Sequence, residues 1–338
     1  MIDFRYHLVS LISVFIALAI GIVLGAGPLR ESLGDQLAEQ VEQLRTEKDD
    51  LRAANEELTA DRDQLTGYVE ASAPQLLEGT LDGTTIALVT EHDSSRTEVE
   101  AVEANIATAG GTVGPRITLQ PMLWAPDASA QRRDTLADLR AVSPELVPAD
   151  ADDDVTALTG TLARLLSPGA GPDEEVRAQA WQVLVDRQAV TVDGDLVPVD
   201  AVAYLGADPA EMVVPTESAS AAAERAQALL GVQTSFMLGL VDAGTPAVVS
   251  AVTPEDNSAD GILGTVRTDA RFRDLSTTDR LQQSDGPVLT VLALGERLRG
   301  GVGDYGTAAD ADARIPEVDS SAPIIGQEEP AASDGGEG

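Results

Sequence analysis

The sequence predicts an α/β protein with an N-terminal transmembrane helix and a parallel coiled-coil stalk ahead of a mostly parallel sheet covered by helices. Three observations lead to this fold class. An uncharged apolar run opens the chain, leucines then recur every seven residues, and β-rich apolar runs later alternate with helical patterns. These patterns set the predicted boundaries: a cytoplasmic flank at 1–7, an anchor at 8–29, a stalk at 30–70, an α/β domain at 84–303 and a flexible acidic tail at 304–338.

The apolar run at 8–29 carries no charge, and as a helix it would span about 33 Å at 1.5 Å per residue, enough to cross the hydrocarbon core of a membrane. A cleaved export signal would have a shorter apolar region and an Ala-x-Ala-like site, whereas here Gly25, Ala26 and Gly27 run directly into Pro28. A buried core helix would need a helical bundle around it. We therefore predict a permanent single-pass anchor, with the membrane as a partner.

The orientation of this anchor does not follow from charge alone, because Arg5 on one flank and Arg30 on the other nearly balance. The leading flank is very short and most of the chain follows the anchor. This arrangement is typical of a signal-anchor, so we predict a cytoplasmic N-terminus and a globular domain outside the cytoplasm.

A heptad of leucines follows the anchor in a stretch otherwise dominated by Glu, Gln, Asp and Arg. Leucine at d with a polar Asn at a is typical of a parallel, in-register dimer, since Asn55 can hydrogen-bond its counterpart only in that arrangement. Glu47 would then face Arg52 of the second chain. The alternative is an amphipathic helix packed on its own domain. The predicted dimerisation residues are Leu37, Leu44, Leu51, Asn55, Leu58 and Leu65.

The region after the stalk alternates between two kinds of pattern, which indicates a parallel sheet covered by helices. Apolar β-rich runs predict strands at 84–90, 112–119, 201–206, 246–252 and 287–294. Helical patterns lie at 96–109, 130–141, 155–166, 174–185 and 218–241, the last of them either continuous or restarting after 230.

The composition excludes several classes of function. A formal charge of -35 opposes binding to nucleic acid, whose affinity for proteins comes mainly from cationic contacts. The absence of cysteine excludes disulfides, thiol catalysis and thiolate metal sites. We predict no nucleic-acid partner.

The motifs that suggest a bound ligand or catalysis lack their required context. "GVGDYG" at 301–306 has glycines at dinucleotide-binding spacing but no βαβ unit after it, so we predict a turn that ends the domain. "DADDD" at 150–154 begins like a calcium loop, yet Val155 and Thr161 stand where that loop needs Gly and Glu, which favours a solvated loop and a helix start. The sequence contains no G-x-S-x-G, H-E-x-x-H or phosphate loop. We therefore predict neither an enzyme nor a resident cofactor.

One polar cluster, "TEHDSSR" at 90–96, follows the first strand of the sheet. Open α/β folds place ligands at the carboxyl ends of their strands, so Glu91, His92 and Asp93 are the candidate metal ligands. The alternative is that Asp93 or a neighbouring serine caps the next helix while His92 is merely exposed.

The opening "MIDFRYHLVSLISVFIALAIGIVLGAGPL", the leucine repeat, the α/β pattern and the late "GGVGDYG" together resemble the MctB-like copper transport protein family of actinobacteria. The resemblance implies a role in copper transport or homeostasis at the cell envelope, with copper as a transported or sensed ion and envelope proteins as further partners. The residues alone favour an alternative: a membrane-anchored coiled-coil dimer that acts as a scaffold or partner-binding protein without transport. A ligand-sensing or degenerate enzyme-like domain is a third hypothesis, which rests on fold analogy.

Overall fold

The structure, a computed structural model, describes residues 4–91, 96–169, 171–207, 218–253, 261–317 and 322–324, without the side chains of 24–36 and 38. Two compact units divide the chain, Met1–Gly67 and Tyr68–Gly338. Each is described by itself.

The first unit consists of one helix, α1, which runs over Phe4–Leu77 and so continues into the second unit. Within it, Phe4–Val23 has a mean hydropathy of 2.3 and is long and apolar enough to cross a membrane, the one such segment in the described part of the chain. Its apolar side chains are exposed in the isolated chain. Because exposed apolar side chains are stable only in apolar surroundings, this segment supports a membrane location.

The heptad leucines of α1 are also exposed, from 60% at Leu37 to 72% at Leu51. The coiled-coil stalk and the parallel dimer stay predictions. Further along α1, the contacts change, because Ala73 and Leu77 are buried in the core of the second unit.

The second unit is built on a seven-stranded sheet. Its strands are β1 Thr85–Glu91, β2 Thr112–Leu119, β3 Val190–Asp193, β4 Ala201–Gly206, β5 Ala247–Ala251, β6 Ser276–Thr278 and β7 Asp304–Tyr305. They lie in the order β3-β2-β1-β4-β5-β6-β7. All neighbours pair in parallel except β3, which runs antiparallel to β2 at the edge.

Seven further helices are described in this unit: α2 Arg96–Thr108, α3 Ser129–Val142, α4 Asp154–Leu166, α5 Glu174–Asp186, α6 Ala219–Asp242, α7 Ile262–Thr268 and α8 Gly286–Leu298. They cover the sheet on both faces, which explains why every residue of β4 and β5 is buried. One core contains Trp181 of α5 and Phe236 of α6, together with apolar residues of α3, α4 and α7. The other contains Leu77 of α1 and Ile106 of α2, together with most of α8.

These elements confirm most of the predicted pattern, including the mostly parallel sheet. The strands predicted at 112–119 and 201–206 have those bounds in the structure, and the helical pattern at 218–241 forms one continuous helix, α6. The acidic run at 150–154 does begin a helix, since the Asp153 side chain accepts a hydrogen bond of 2.8 Å from the Thr156 N–H.

The strand predicted at 287–294 is wrong, because these residues belong to the helix α8. Nearly every side chain of α8 is buried, so its sequence is apolar on all sides and lacks the 3.6-residue period of a surface helix. Pro287 lies in the first turn, where a helix tolerates its missing N–H.

Three short strands were not predicted: β3, β6 and β7. The buried β6 is made of Ser276, Thr277 and Thr278, whose polar side chains hide the strand from a hydrophobicity pattern. The two-residue β7 extends the sheet past 303, where the α/β domain was predicted to end.

Candidate functional site

The candidate site lies where the chain reverses the direction in which it builds the sheet. From β1 the chain adds β2 on one side, and it later adds β4 on the other, so β1 and β4 are neighbours at a switch point. Open α/β sheets bind ligands at the carboxyl ends of strands at such points. Glu91, one of the three predicted ligands, is the last residue of β1 and lies here. His92 and Asp93 fall outside the described residues.

The Glu91 side chain points into the core that faces α6 and accepts hydrogen bonds from three elements. The Tyr204 hydroxyl of β4 and the Gln233 amide of α6, the latter at 2.5 Å, donate to Oε1. The Ala207 N–H, just past β4, donates to Oε2 at 2.9 Å. Glu91 is 1% exposed, so these bonds compensate for its removal from water.

Burial raises the pKa of the Glu91 carboxyl, and the three hydrogen bonds oppose that rise without cancelling it. Burial also raises the pKa of the Tyr204 hydroxyl, and the adjacent Glu91 raises it further. A buried carboxyl of this kind can hold a proton that an exposed one would release. The Glu91 carboxyl can therefore bind a proton, and its hydrogen bonds connect β1 to β4 and α6.

Tyr204 and Gln233 are not among the site residues that the sequence predicts. Tyr204 lies in the apolar run "AVAYLG". Its hydroxyl is the one polar side-chain group in that run, and a buried hydroxyl needs a hydrogen-bond partner, which was the signal in the sequence. Gln233 had no signal of its own, because a glutamine in a helix is ordinarily exposed, and only the packing of α6 on the sheet buries it.

A cleft of about 520 Å³ opens between β1, β2, β3 and α2, and Glu91 is among the residues that line it. Its floor includes Thr90, Thr118 and Thr191 from three adjacent strands. Arg116 on the floor contacts Glu103 of α2 and, at 3.1 Å, Asp193 of β3. The cleft has the volume of a small-molecule site, and hydroxyl groups, two arginines and four acidic side chains line it.

Metal-ligand chemistry is sparse in the described residues. They contain no group of three or more His, Asp or Glu side chains arranged to hold a metal ion. Met122 and Met237 are the described methionines, and both are buried in the core that faces α6. The metal site at Glu91, His92 and Asp93 stays a prediction.

The "GVGDYG" element packs against the end of β6 at one edge of the sheet. The Asp279 carboxylate, fully buried after β6, accepts hydrogen bonds from the N–H groups of Thr307 at 2.9 Å and Ala308 at 3.0 Å. Gly306 has φ +133°, and a Cβ there would lie 2.1 Å from Asp279 Cγ. The last glycine of the motif is therefore needed for backbone conformation and close approach. The motif therefore contains the edge strand β7 where a turn was predicted, and the chain bends only after it, at Gly306.

Comparison with known proteins connects this architecture to a family. The copper transporter MctB of Mycobacterium leprae is 29% identical to the chain over 334 residues, which cover 92% of this chain and 98% of that protein. Proteins of the same name in Mycobacterium bovis and Mycobacterium tuberculosis are each 26% identical over 327 residues, with the same coverage. The family model described as copper transport outer membrane protein, MctB, matches residues 1–316. This match confirms the resemblance seen in the sequence, and the chain belongs to the MctB family.

Proposed function

We propose that this protein acts in copper transport or homeostasis at the cell envelope, as a membrane-anchored protein without enzymatic activity or a resident cofactor. The family match over residues 1–316 carries the proposal, because it includes both the apolar segment and the α/β unit. The relatives named copper transporters cover 92% of the chain, which further supports it.

The anchor constrains how such a protein would act on copper. Phe4–Val23 is the one candidate span in the described residues, and a lone apolar helix encloses no polar path for an ion. We propose that the α/β unit works outside the cytoplasm on copper delivered to or from other envelope components. In this proposal copper is the transported ion and not a resident cofactor.

Copper tolerance and content in a strain lacking the gene provide the test. We expect the deletion to change growth in copper and the copper content of the cells, and the full chain to restore both. A matched control chain, with residues 1–23 replaced by a cleaved export signal, should be exported but fail to restore them. Unchanged tolerance and content in the deletion strain would remove the copper role.

Direct copper binding is a separate question, tested by titration of the purified chain with Cu(I) and Cu(II). If the predicted site at Glu91, His92 and Asp93 binds copper, affinity should be better than micromolar and His92→Ala should weaken it. The control is His7→Ala, which changes the other of the chain's two histidines. Equal affinities of both variants and the unaltered chain would place copper elsewhere.

The proposed topology has its own test, because the chain contains no cysteine. A single cysteine introduced by Ala53→Cys on exposed α1 should react with a membrane-impermeant maleimide added outside intact cells. If the Ala53→Cys chain reacted only after lysis, the part of α1 that follows the membrane segment would lie in the cytoplasm, which is the reverse of the proposed topology.

A second candidate function is that of a membrane-anchored coiled-coil dimer acting as a scaffold without transport. The exposed heptad leucines favour it, since they form an apolar row along α1. A deletion strain with normal copper handling but altered assembly of other envelope proteins would favour this function over the first.

A further inference from the structure

The outer surface of α1 carries a row of apolar side chains that is long enough to be an interface. We call it the leucine face, and it comprises Leu37, Val41, Leu44, Leu51, Leu58 and Leu65. Exposure of these side chains ranges from 45% at Val41 to 72% at Leu51. The row extends for about 42 Å at 1.5 Å per residue. An apolar stripe of this length on a helix surrounded by charged residues is typical of a surface that another helix covers.

The structure also sets where the leucine face ends. In the heptad, Val69 is the next a position after Arg62, but it packs against the core of its own unit beside Leu77. The exposed apolar row of α1 therefore ends at Leu65.

We infer that a second copy of this chain covers the leucine face as a parallel, in-register helix. Complementary charge at the g positions supports this occupant. Two cations lie in the seam at a positions, Lys48 and Arg62, and each directly follows an acid at g, Glu47 and Asp61. In a parallel pair the g residue of one helix flanks the a residue of the other, so each cation of one copy meets an acid of the second copy. Glu47 also reaches Arg52 of the second copy.

The antiparallel arrangement of the same two helices brings like charges together. In that pairing g positions face g positions and e positions face e positions. Full overlap of the leucine face would place Glu47 against Asp61 and Arg52 against its own counterpart. Each such contact is repulsive, whereas in the parallel pair Glu47 meets Arg52 of the second copy. Lys48 and Arg62 face their own counterparts in that pair, and the flanking acids Glu47 and Asp61 of the second copy oppose this repulsion.

The cations are free to change partners at low cost. In the single chain, Arg52 lies 3.5 Å from Glu56 and Arg62 lies 3.1 Å from Asp63, and all four side chains are more than 60% exposed. Exposed ion pairs of this kind contribute little to stability. Exchanging them for contacts across the seam therefore costs little free energy.

Single-cysteine crosslinking of the full chain in native membranes tests the pairing. Leu44→Cys and Leu58→Cys lie on the leucine face, and each should form a disulfide-linked dimer under mild oxidation. Ala53→Cys and Ala60→Cys, on the far face of the helix, are the matched controls and should link far less. In an antiparallel pair the two copies of residue 44 would lie about 27 Å apart, so neither leucine variant would link. That result, or equal linking at all four positions, would overturn the inference.

A charge exchange at Asp61 and Arg62 tests the orientation independently. Arg62→Asp alone puts an acid against Asp61 of the second copy, so dimerisation of the Leu58→Cys chain should weaken roughly threefold. Adding Asp61→Arg restores an attractive pair with reversed charges and should restore linking. Loss of linking in both variants, or in neither, would contradict a parallel seam.

This inference deepens the second candidate function and does not depend on copper. Failure of the copper tests would leave the crosslinking result standing, and failure of crosslinking would leave a copper role for a single anchored chain.

Discussion

At the scale of single residues, the buried carboxyl of Glu91 joins three parts of the α/β unit. Its donors come from β4, from the segment after β4 and from α6. These hydrogen bonds hold the end of β1 against β4 and α6. A buried carboxyl that has hydrogen-bond donors but also a raised pKa is stable in the protonated form as well as the ionised one. The stability of the fold should therefore depend on pH through this residue.

We predict the direction of that dependence from the raised pKa of Glu91. As the pH rises above the ordinary value of 4.5, the unfolded chain releases this proton before the folded chain does. The contribution of Glu91 to the free energy of unfolding is thus largest in acid and decreases as the pH rises through the raised pKa. Urea unfolding of the chain in detergent between about pH 4.5 and 7 measures this.

In Glu91→Gln this part of the pH dependence should disappear, because an amide does not titrate. The variant should also be less stable in acid by about 1–3 kcal/mol, since an amide cannot accept at both positions. Glu100→Gln, exposed on α2, is the control and should follow the unaltered chain. If the difference between Glu91→Gln and the unaltered chain is constant across the pH range, the raised pKa is contradicted.

At the scale of secondary-structure elements, α4 and α6 pack closely because glycines lie between them. A Cβ at Gly239 would lie 3.0 Å from Ala163 Cβ and 3.1 Å from Gly160 Cα. On the same helix, a Cβ at Gly231 would meet no heavy atom within 4 Å. One helix thus contains a glycine required by packing and a glycine that packing does not require.

Alanine substitutions at these two glycines should change stability in opposite directions. Gly239→Ala should lower the free energy of unfolding by about 1–3 kcal/mol, because the helices must move apart. Gly231→Ala should raise it by about 0.5–1 kcal/mol, because alanine favours the helical backbone and has room. Thermal unfolding monitored by circular dichroism measures both. Changes of the same sign would show that the two helices do not meet at Gly239.

At the scale of the whole molecule, the α/β unit contains its own cores. Arg299 of this unit donates hydrogen bonds to the carbonyl of Thr80 at 2.7 Å and to that of Ala322 at 3.0 Å, joining the entry of the chain to its far end. The buried residues of both hydrophobic clusters lie at Ala73 or later, and Val69 packs against one of the clusters.

A fragment that begins at Tyr68 should therefore fold without the rest of α1 and unfold in a single cooperative transition. The matched control begins at Gly79 and lacks Ala73 and Leu77. Because a buried leucine contributes about 2–5 kcal/mol, the shorter fragment should unfold at a markedly lower temperature. Equal transition temperatures would show that the last turns of α1 are dispensable for the core.

The sequence by itself determined the elements whose pattern is local. Charge-free length indicated the membrane segment, and the β-rich runs indicated β1, β2, β4 and β5 without further information. Only the tertiary structure decided that 287–294 is a helix, since burial on all sides removes the period that distinguishes helix from strand. Likewise, Tyr204 and Gln233 lie 113 and 142 residues from Glu91. Such a site exists only when the chain folds, because its partners are neighbours in space and not in sequence.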